Sequence, residues 1–318
     1  AVSITRVSEE FVVQQSTLPF ETQTVKNESI PEGQKILIQP GVNGQVATTY
    51  RVVKENGKEV SRSAVKTETI VDAKPEILMI GVQSPFTPQP IAGRLAYITA
   101  SNAWLMEGST GNRRPLVTTG DLDGRIFVIS PDRNWLLFSR LYSSSPARAS
   151  INSLWIINLQ DSAAKPIALG VENIVHFADW VPGRSLTIAY STVEPRDTPP
   201  GWQANNDLVV AEFDAEGKLI DQNTIVEPNN GGVYGWWGTF FSFSPDGTSI
   251  AYARPDSVGL VNAETGQLDP LIHLIPYQTG GDWAWVPGLS WSPDGQTLYC
   301  IVHGAATDTN GNETSPEF

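Results

Sequence analysis

Ser244-Pro245-Asp246-Gly247-Thr248-Ser249-Ile250-Ala251-Tyr252-Ala253-Arg254 decides the fold. Its first four residues have the chemistry of a tight turn. Pro presets φ at the first corner, Asp hydrogen-bonds backbone, and Gly takes the left-handed position. The residues after it alternate, with Ile250 and Tyr252 on one face, as in a half-buried strand. Working outward, strand a is Thr239 to Phe243, strand b is Thr248 to Ala253 and strand c is Val258 to Asn262. A second turn follows at Ala263-Glu264-Thr265-Gly266.

The same unit recurs. Ser292-Pro293-Asp294-Gly295 leads into Gln296 to Val302, and degenerate copies stand at Ser130-Pro131-Asp132-Arg133 and Val181-Pro182-Gly183-Arg184. Ile126 to Ile129, Trp135 to Ser139 and Leu154 to Asn158 form one unit. Val175 to Trp180, Leu186 to Ser191 and Asp207 to Phe213 form another. Arg94 to Thr99 and Ala103 to Glu107 read as strands b and c of a first unit. A repeat of this size made of short strands predicts a β-propeller, of which about five units are visible. The last unit stops soon after strand b, and the strand that would close the ring is missing. The expectation is an incomplete propeller whose native protein continues past Phe318, or a cleaved fragment, because an open ring leaves unpaired edges.

The Ser-Pro-Asp-Gly turn followed by a Tyr-containing strand, as in Ile250-Ala251-Tyr252-Ala253 and Leu186-Thr187-Ile188-Ala189-Tyr190, resembles TolB-type propeller repeats. It is also similar to the propellers of prolyl-oligopeptidase-type enzymes. The resemblance covers about residues 91–303 and carries fold far more than function.

Residues 4–80 show no helical period. Phe11-Val12-Val13, Lys35 to Gln39, Ala47 to Lys54 and Ser63 to Val71 are strand runs, and Asn56-Gly57 between two of them is a hairpin signal. Thr-rich strands with alternating Lys and Glu predict a thin, extended and mostly solvated sheet. Leu18-Pro19-Phe20-Glu21-Thr22, Ile30-Pro31-Glu32-Gly33, Gly41-Val42-Asn43-Gly44, Tyr50-Arg51-Val52 and Asn56 to Arg62 together resemble a G-five domain. Its five glycines correspond to Gly33, Gly41, Gly44, Gly57 and Gly81. That family occurs in bacterial cell-surface and cell-wall-processing proteins. The resemblance implies an extracellular spacer or adhesion module with N-acetylglucosamine-type glycans as ligands, and it brings no catalytic residues. The domain reading is thus all-β: a small extended β-sheet domain at 1–81, a Pro-rich linker at 82–92, and a TolB-like β-propeller at 93–318.

The whole chain bounds the function. Its 318 residues carry a formal net charge of −13, with a sequence pI near 4.7. Nucleic acid is excluded as a partner, because phosphate contacts need a basic surface. No run of about 18 apolar residues exists, so no membrane-spanning helix is expected. The start Ala-Val-Ser, without Met or signal peptide, reads as a mature or excised piece. The one cysteine, Cys300, reads as a small core residue.

No catalytic pattern stands out: no Gly-x-Ser-x-Gly elbow, His-Glu-x-x-His, Cys-x-x-Cys or phosphate-binding loop. His176, His273 and His303 sit in or beside strand runs and read as structural. Gly120-Asp121-Leu122-Asp123-Gly124 and Asp308-Thr309-Asn310-Gly311-Asn312 have calcium-like spacing but read as turns or tail. No metal and no cofactor is therefore expected. Asn27 and Asn312 lie in Asn-x-Ser/Thr acceptor patterns.

Tryptophan carries the functional reading. Several of the ten Trp fall in loops: Trp236 and Trp237 after Asn229 to Gly235, Trp283 and Trp285 after Thr279 to Asp282, and Trp202 in a Pro-rich insert. In an up-and-down blade the d-to-a and b-to-c connections emerge on the same side, so these Trp should gather on one face of the ring. Arg140, Tyr142, Arg148 and Arg254 stand in b-to-c loops beside them. Indole faces next to Arg and Asn suit a sugar or peptide; the alternative is that the same Trp wedge between blades as core. The expected function is non-catalytic binding or scaffolding at the bacterial cell surface, with cell-wall glycan or a surface protein as partner. Two alternatives stay open. One is the substrate-gating propeller of a larger peptidase or hydrolase; the other is a self-assembling subunit of a surface structure.

Overall fold

The computed structural model describes residues 4–83, 87–142, 150–277 and 284–304. The chain divides into two compact units, one of residues 1–95 with 105–115 and one of residues 96–104 with 116–318. Among the described residues every regular element but one 3-10 turn is a strand.

The first unit opens with β1 (Val7–Leu18), β2 (Thr22–Pro31), β3 (Lys35–Gln39), β4 (Gly44–Glu55), β5 (Lys58–Val71) and β6 (Glu76–Gln83). They form two three-stranded sheets, β1-β4-β5 and β2-β6-β3. Asn56 and Gly57 both take positive φ, 47° and 82°, the geometry that a two-residue hairpin demands, and they join β4 to β5. The sheet is as thin as its composition implies: β5 is exposed at every position, and Phe11 and Val13 of β1 face solvent. Cross-strand ion pairs stitch it, including Glu9 with Arg51 and Glu10 with Lys54. Asn27 is buried and donates to the Met79 sulfur. Its acceptor pattern is therefore closed to glycosylation in the folded chain; that of Asn312 lies outside the described residues.

A hairpin of β7 (Pro90–Thr99) and β8 (Asn102–Val117) follows. Three four-stranded meanders come next, each with its strands in chain order. The first is β9 (Leu122–Ile129), β10 (Trp135–Leu141), β11 (Asn152–Asn158) and β12 (Ile167–Glu172). The second blade begins with β13 (Ala178–Trp180) and β14 (Thr187–Tyr190). Its Pro-rich insert forms a separate hairpin, β15 (Val193–Pro195) with β16 (Trp202–Ala204), before β17 (Leu208–Phe213) and β18 (Leu219–Val226) complete the sheet. The third is β19 (Phe240–Phe243), β20 (Ile250–Arg254), β21 (Ser257–Val261) and β22 (Leu268–His273). β23 (Leu289–Trp291) pairs with β24 (Leu298–Cys300) at the end. These are the blades of a β-propeller.

The core lies between blades, and the period of two explains it. In the second blade Ile188, Tyr190, Val209 and Ala211 face the first blade, packing with Leu137, Leu154 and Ile156. The alternate residues Ala189, Leu208 and Val210 face the third blade, packing with Phe241, Ile250 and Tyr252. Both faces of a central blade are thus buried, as in a sandwich layer. The first strands of neighbouring blades are tied to each other. The indole N–H of Trp180 on β13 donates to Val128 O on β9 (3.0 Å), and Trp291 on β23 donates to Ser242 O on β19 (3.1 Å).

The repeated turn works through its serine. Ser244 donates to Asp246 (2.5 Å) and accepts from the Ser249 N–H (2.9 Å); Ser292 does the same with Asp294 (2.5 Å) and Thr297 (2.9 Å). Those hydroxyl bonds hold the carboxyls of Asp246 and Asp294 below the usual carboxylate range. Cys300 is half-buried on β24.

Candidate functional site

Three loops of the second unit converge. The β15–β16 hairpin brings Trp202, the segment before β13 brings His176, and the connection from β18 to β19 brings Trp236 and Trp237, with Phe240 at the start of β19. Trp202 stacks on His176 with ring centroids 6.1 Å apart and planes 15° apart. Trp237 meets Trp202 edge-on at 5.6 Å, Phe240 meets His176 edge-on at 6.0 Å, and Trp236 continues the group at 6.3 Å from Trp237. Trp202 is buried against Val175, Val193 and Ala204, with Trp237 packed on them. Trp236 and Phe240 remain 41% and 40% exposed. The group is therefore core at its base and an open aromatic surface at its top.

Its geometry is set by the backbone around it. Gly235–Trp237 forms the 3-10 turn, entered by Tyr234 at φ 57° and left through Gly238 at φ 102°. A side chain at Gly238 would lie 2.4 Å from the His176 ring, so glycine here is what lets the loop close over the imidazole. Asn206, fully buried, holds the same turn from the neighbouring blade: its Nδ2 donates to Gly235 O (2.8 Å) and its Oδ1 accepts from the Thr239 hydroxyl (2.8 Å). Arg254 donates to Thr239 Oγ1 and to Asn229 Oδ1, both at 2.9 Å. It braces the loop from below, and burial lowers its pKa.

Asp207 fixes the chemistry of His176. Its carboxylate accepts from Ser191 Oγ (3.1 Å), the Thr192 N–H (2.7 Å) and the Thr192 hydroxyl (2.7 Å). With the Ser191 proton committed to Asp207, the 3.1 Å contact between Ser191 Oγ and His176 Nε2 requires Nε2 to be the donor. Nδ1 is then the bare acceptor, and it is buried without a partner. Burial pushes the His176 pKa down to about 4, so the ring is neutral at physiological pH. Acid, serine and imidazole line up here with the serine in the middle and wholly buried, which is not the order in which a base activates a nucleophile.

Beside this group lies a cleft of about 460 Å³. Trp202, Ile151, Pro195, Pro199 and Pro200 give it apolar surface, Arg125 and Arg196 bring cations, and Asp197 brings a carboxylate.

The other expected site residues are placed elsewhere. Arg140 stacks over Trp155 at 4.3 Å and pairs with Asp121 at 2.8 Å. Tyr142 donates to Glu172 (2.6 Å). Both are engaged in holding the first blade. Trp285 packs edge-on against His303 at 5.1 Å, beside Tyr277, and not with the Trp202 group. Trp283, Arg148 and the 308–312 loop lie outside the described residues. In the 120–124 turn, Asp121 is taken by Arg140, and Asp123 accepts from Ser139, Asn152 and the Arg125 N–H. Protein donors thus occupy the carboxylates of the calcium-like spacing. Phe240 and Arg125 are the residues that sequence reasoning passed over, and His176 was read as structural; Phe240 had a signal, since it stands three residues beyond Trp237 at the mouth of a first strand.

Residues 9–83 match the G5 domain family. The first unit therefore carries a G5 domain. No curated protein matches the chain. Among solved structures, an IgA1 protease G5 domain aligns at 23% identity over 26% of this chain and 96% of its own, with TM-score 0.19. The HP0197 G5 domain aligns at 25% identity over 25% of this chain and all of its own, with TM-score 0.22. The β-propeller domain of the Trilobed protease from Pyrococcus furiosus aligns at 10% identity over 91% of this chain and 79% of its own, with TM-score 0.38. At such identities the propeller rests on the sheets themselves. Among the described residues no helix is long and apolar enough to cross a membrane.

Proposed function

We propose that this is a non-catalytic binding protein of the bacterial cell surface, whose G5 domain is a spacer and whose propeller holds cell-wall glycan. The carrying observation is the Trp202 cleft with the aromatic group at its side. Sugar rings present a flat C–H face and a rim of hydroxyls. Indole and proline surfaces suit the first, and Arg125 and the backbone of the loops suit the second. The G5 match supports the surface location, since that family occurs in surface proteins. The burial of Ser191 between Asp207 and His176 supports the non-catalytic reading.

Peptidoglycan glycan strands stripped of their peptides are the probe. Calorimetric titration is expected to detect binding by the full chain, and Trp202→Ala is expected to weaken it at least ~10-fold, the scale of an aromatic stacking contact. Because Trp202 also covers Val175 and Val193, the melting curve of the variant is recorded beside it. A folded chain that does not take up the strands would overturn the proposal.

A further inference from the structure

Arg125 lines the cleft with no close ion pair among the described residues. It sits on β9 just after Gly124, whose φ is +71°. Opposite them the pairing with β10 shifts register between Phe138 and Arg140. This is a β-bulge, the device by which a strand re-aims a side chain, and the re-aimed guanidinium lines the cleft, 39% exposed. The ion pairs made by Arg51, Arg62, Arg94, Arg113, Arg140 and Arg196 are all 2.9 Å or shorter. Arg125 has only Asp123, at 3.9 Å. That carboxylate is nearly buried and already accepts from Ser139, Asn152 and the Arg125 backbone N–H. No hydrogen bond of the guanidinium itself is made among the described residues. Asp197 lines the same cleft and has an interaction of its own, and no ion pair joins it to Arg125 among the described residues; a cation whose one carboxylate partner stands at 3.9 Å, beside a tryptophan and three prolines, is a recognition element for an anion.

A guanidinium fork matches a carboxylate in two parallel bonds. Pro195, Pro199 and Pro200, with the small exposed part of Trp202, offer area to a ring. We propose that the cleft selects carboxylate-bearing sugars, with Arg125 pairing to the carboxylate and the proline surface beside Trp202 carrying the ring. The inference rests on the glycan-binding reading above and narrows it to acidic glycan. Arg196 lines the same cleft but already donates to Glu194 (2.6 Å) and Gln203 (2.9 Å), so its share is smaller.

The test is a matched pair of ligands on the full chain. Peptide-stripped peptidoglycan strands carry free lactyl carboxylates; the same strands after carbodiimide amidation carry neutral amides. The free strands are expected to bind at least ~10-fold more tightly than the amidated ones. Arg125→Gln is expected to erase that difference, while Arg196→Gln keeps most of it. Arg125 is exposed, so the variant should melt with the parent. Equal binding of the two ligands by the parent chain, with Trp202→Ala still weakening both, would overturn the selection and leave the glycan reading standing. Tighter binding of the free strands that survives Arg125→Gln would overturn the assignment of Arg125. Absence of binding to either ligand would overturn both proposals.

Discussion

Asn206→Ala is expected to lower the unfolding free energy by about 3 kcal/mol, read from urea unfolding followed by tryptophan emission. The asparagine stands just before β17 with φ 54°, a left-handed position that asparagine tolerates and alanine resists. Its amide is wholly inside. Nδ2 serves the carbonyls of Gly235 (2.8 Å), Ala204 and Asn229 (3.3 Å each), and Oδ1 takes the Thr239 hydroxyl. Alanine removes these bonds at ~1 kcal/mol each, with Gly235 O keeping the Gly238 N–H (3.2 Å) and Thr239 Oγ1 keeping Arg254, and its left-handed backbone adds ~1–2 kcal/mol. The loss spreads to the aromatic group, because Gly235 begins the turn that seats Trp237. A loss below about 1 kcal/mol would show that the turn is held by its own contacts.

The same clasp occurs one blade earlier. Asn152, at the start of β11, donates to Ile174 O (2.6 Å) and accepts from the Ile174 N–H (2.8 Å). In both blades a buried amide at the mouth of the third strand ties down the chain entering the next blade. Asp256, at the same place before β21, differs: it accepts from the Val233 N–H (3.0 Å) in the chain entering its own blade. Neighbouring blades are thus joined by the Asn152 and Asn206 clasps, by alternating apolar residues and by the Trp180 and Trp291 indole bonds.

The turn half of this design can be read from residues alone and the clasp half cannot. Pro245, Asp246 and Gly247 each restrict backbone in a known way, so three positions announce a turn and the alternation beyond them announces strand b. Nothing local marks Asn152 or Asn206, whose partners stand 22 and 29 residues away. The outer strands were equally silent. β18 reads Leu219-Ile220-Asp221-Gln222-Asn223-Thr224, solvated at most positions, and only pairing with β17 makes it a strand. β15 and β16 are three residues each on either side of a Pro-rich loop, too short for any period. Trp202, Trp236 and Trp237, expected together from loop topology, meet one another, while Trp285 packs against His303. Both readings of the loop tryptophans describe part of the site: Trp202 packs while Trp236 stays open.

Acid should unfold this chain partly through His176. Burial lowers its pKa to about 4 from an ordinary value near 6.5, so the folded state keeps the neutral ring and the unfolded chain takes up the proton first. The contribution to stability is complete above pH ~6.5 and is lost as pH falls toward ~4, at about 1.4 kcal/mol per pH unit and roughly 3 kcal/mol in all. The ring faces Trp202 and Phe240 and reaches the Asp207 carboxylate only through Ser191, so no acceptor stands at Nδ1 to welcome the proton. Asp179, raised by burial, works in the opposite sense, stabilising the fold as it takes its proton, and it masks part of the slope in the parent chain. His176→Gln separates the two. Glutamine keeps an amide N–H for Ser191 and does not titrate in this range. Relative to that variant, the parent chain is expected to lose roughly 3 kcal/mol between pH 7 and pH 4 in paired urea titrations. Parallel profiles across that interval would mean that the folded protein accommodates the imidazolium, and that the space around Nδ1 admits water.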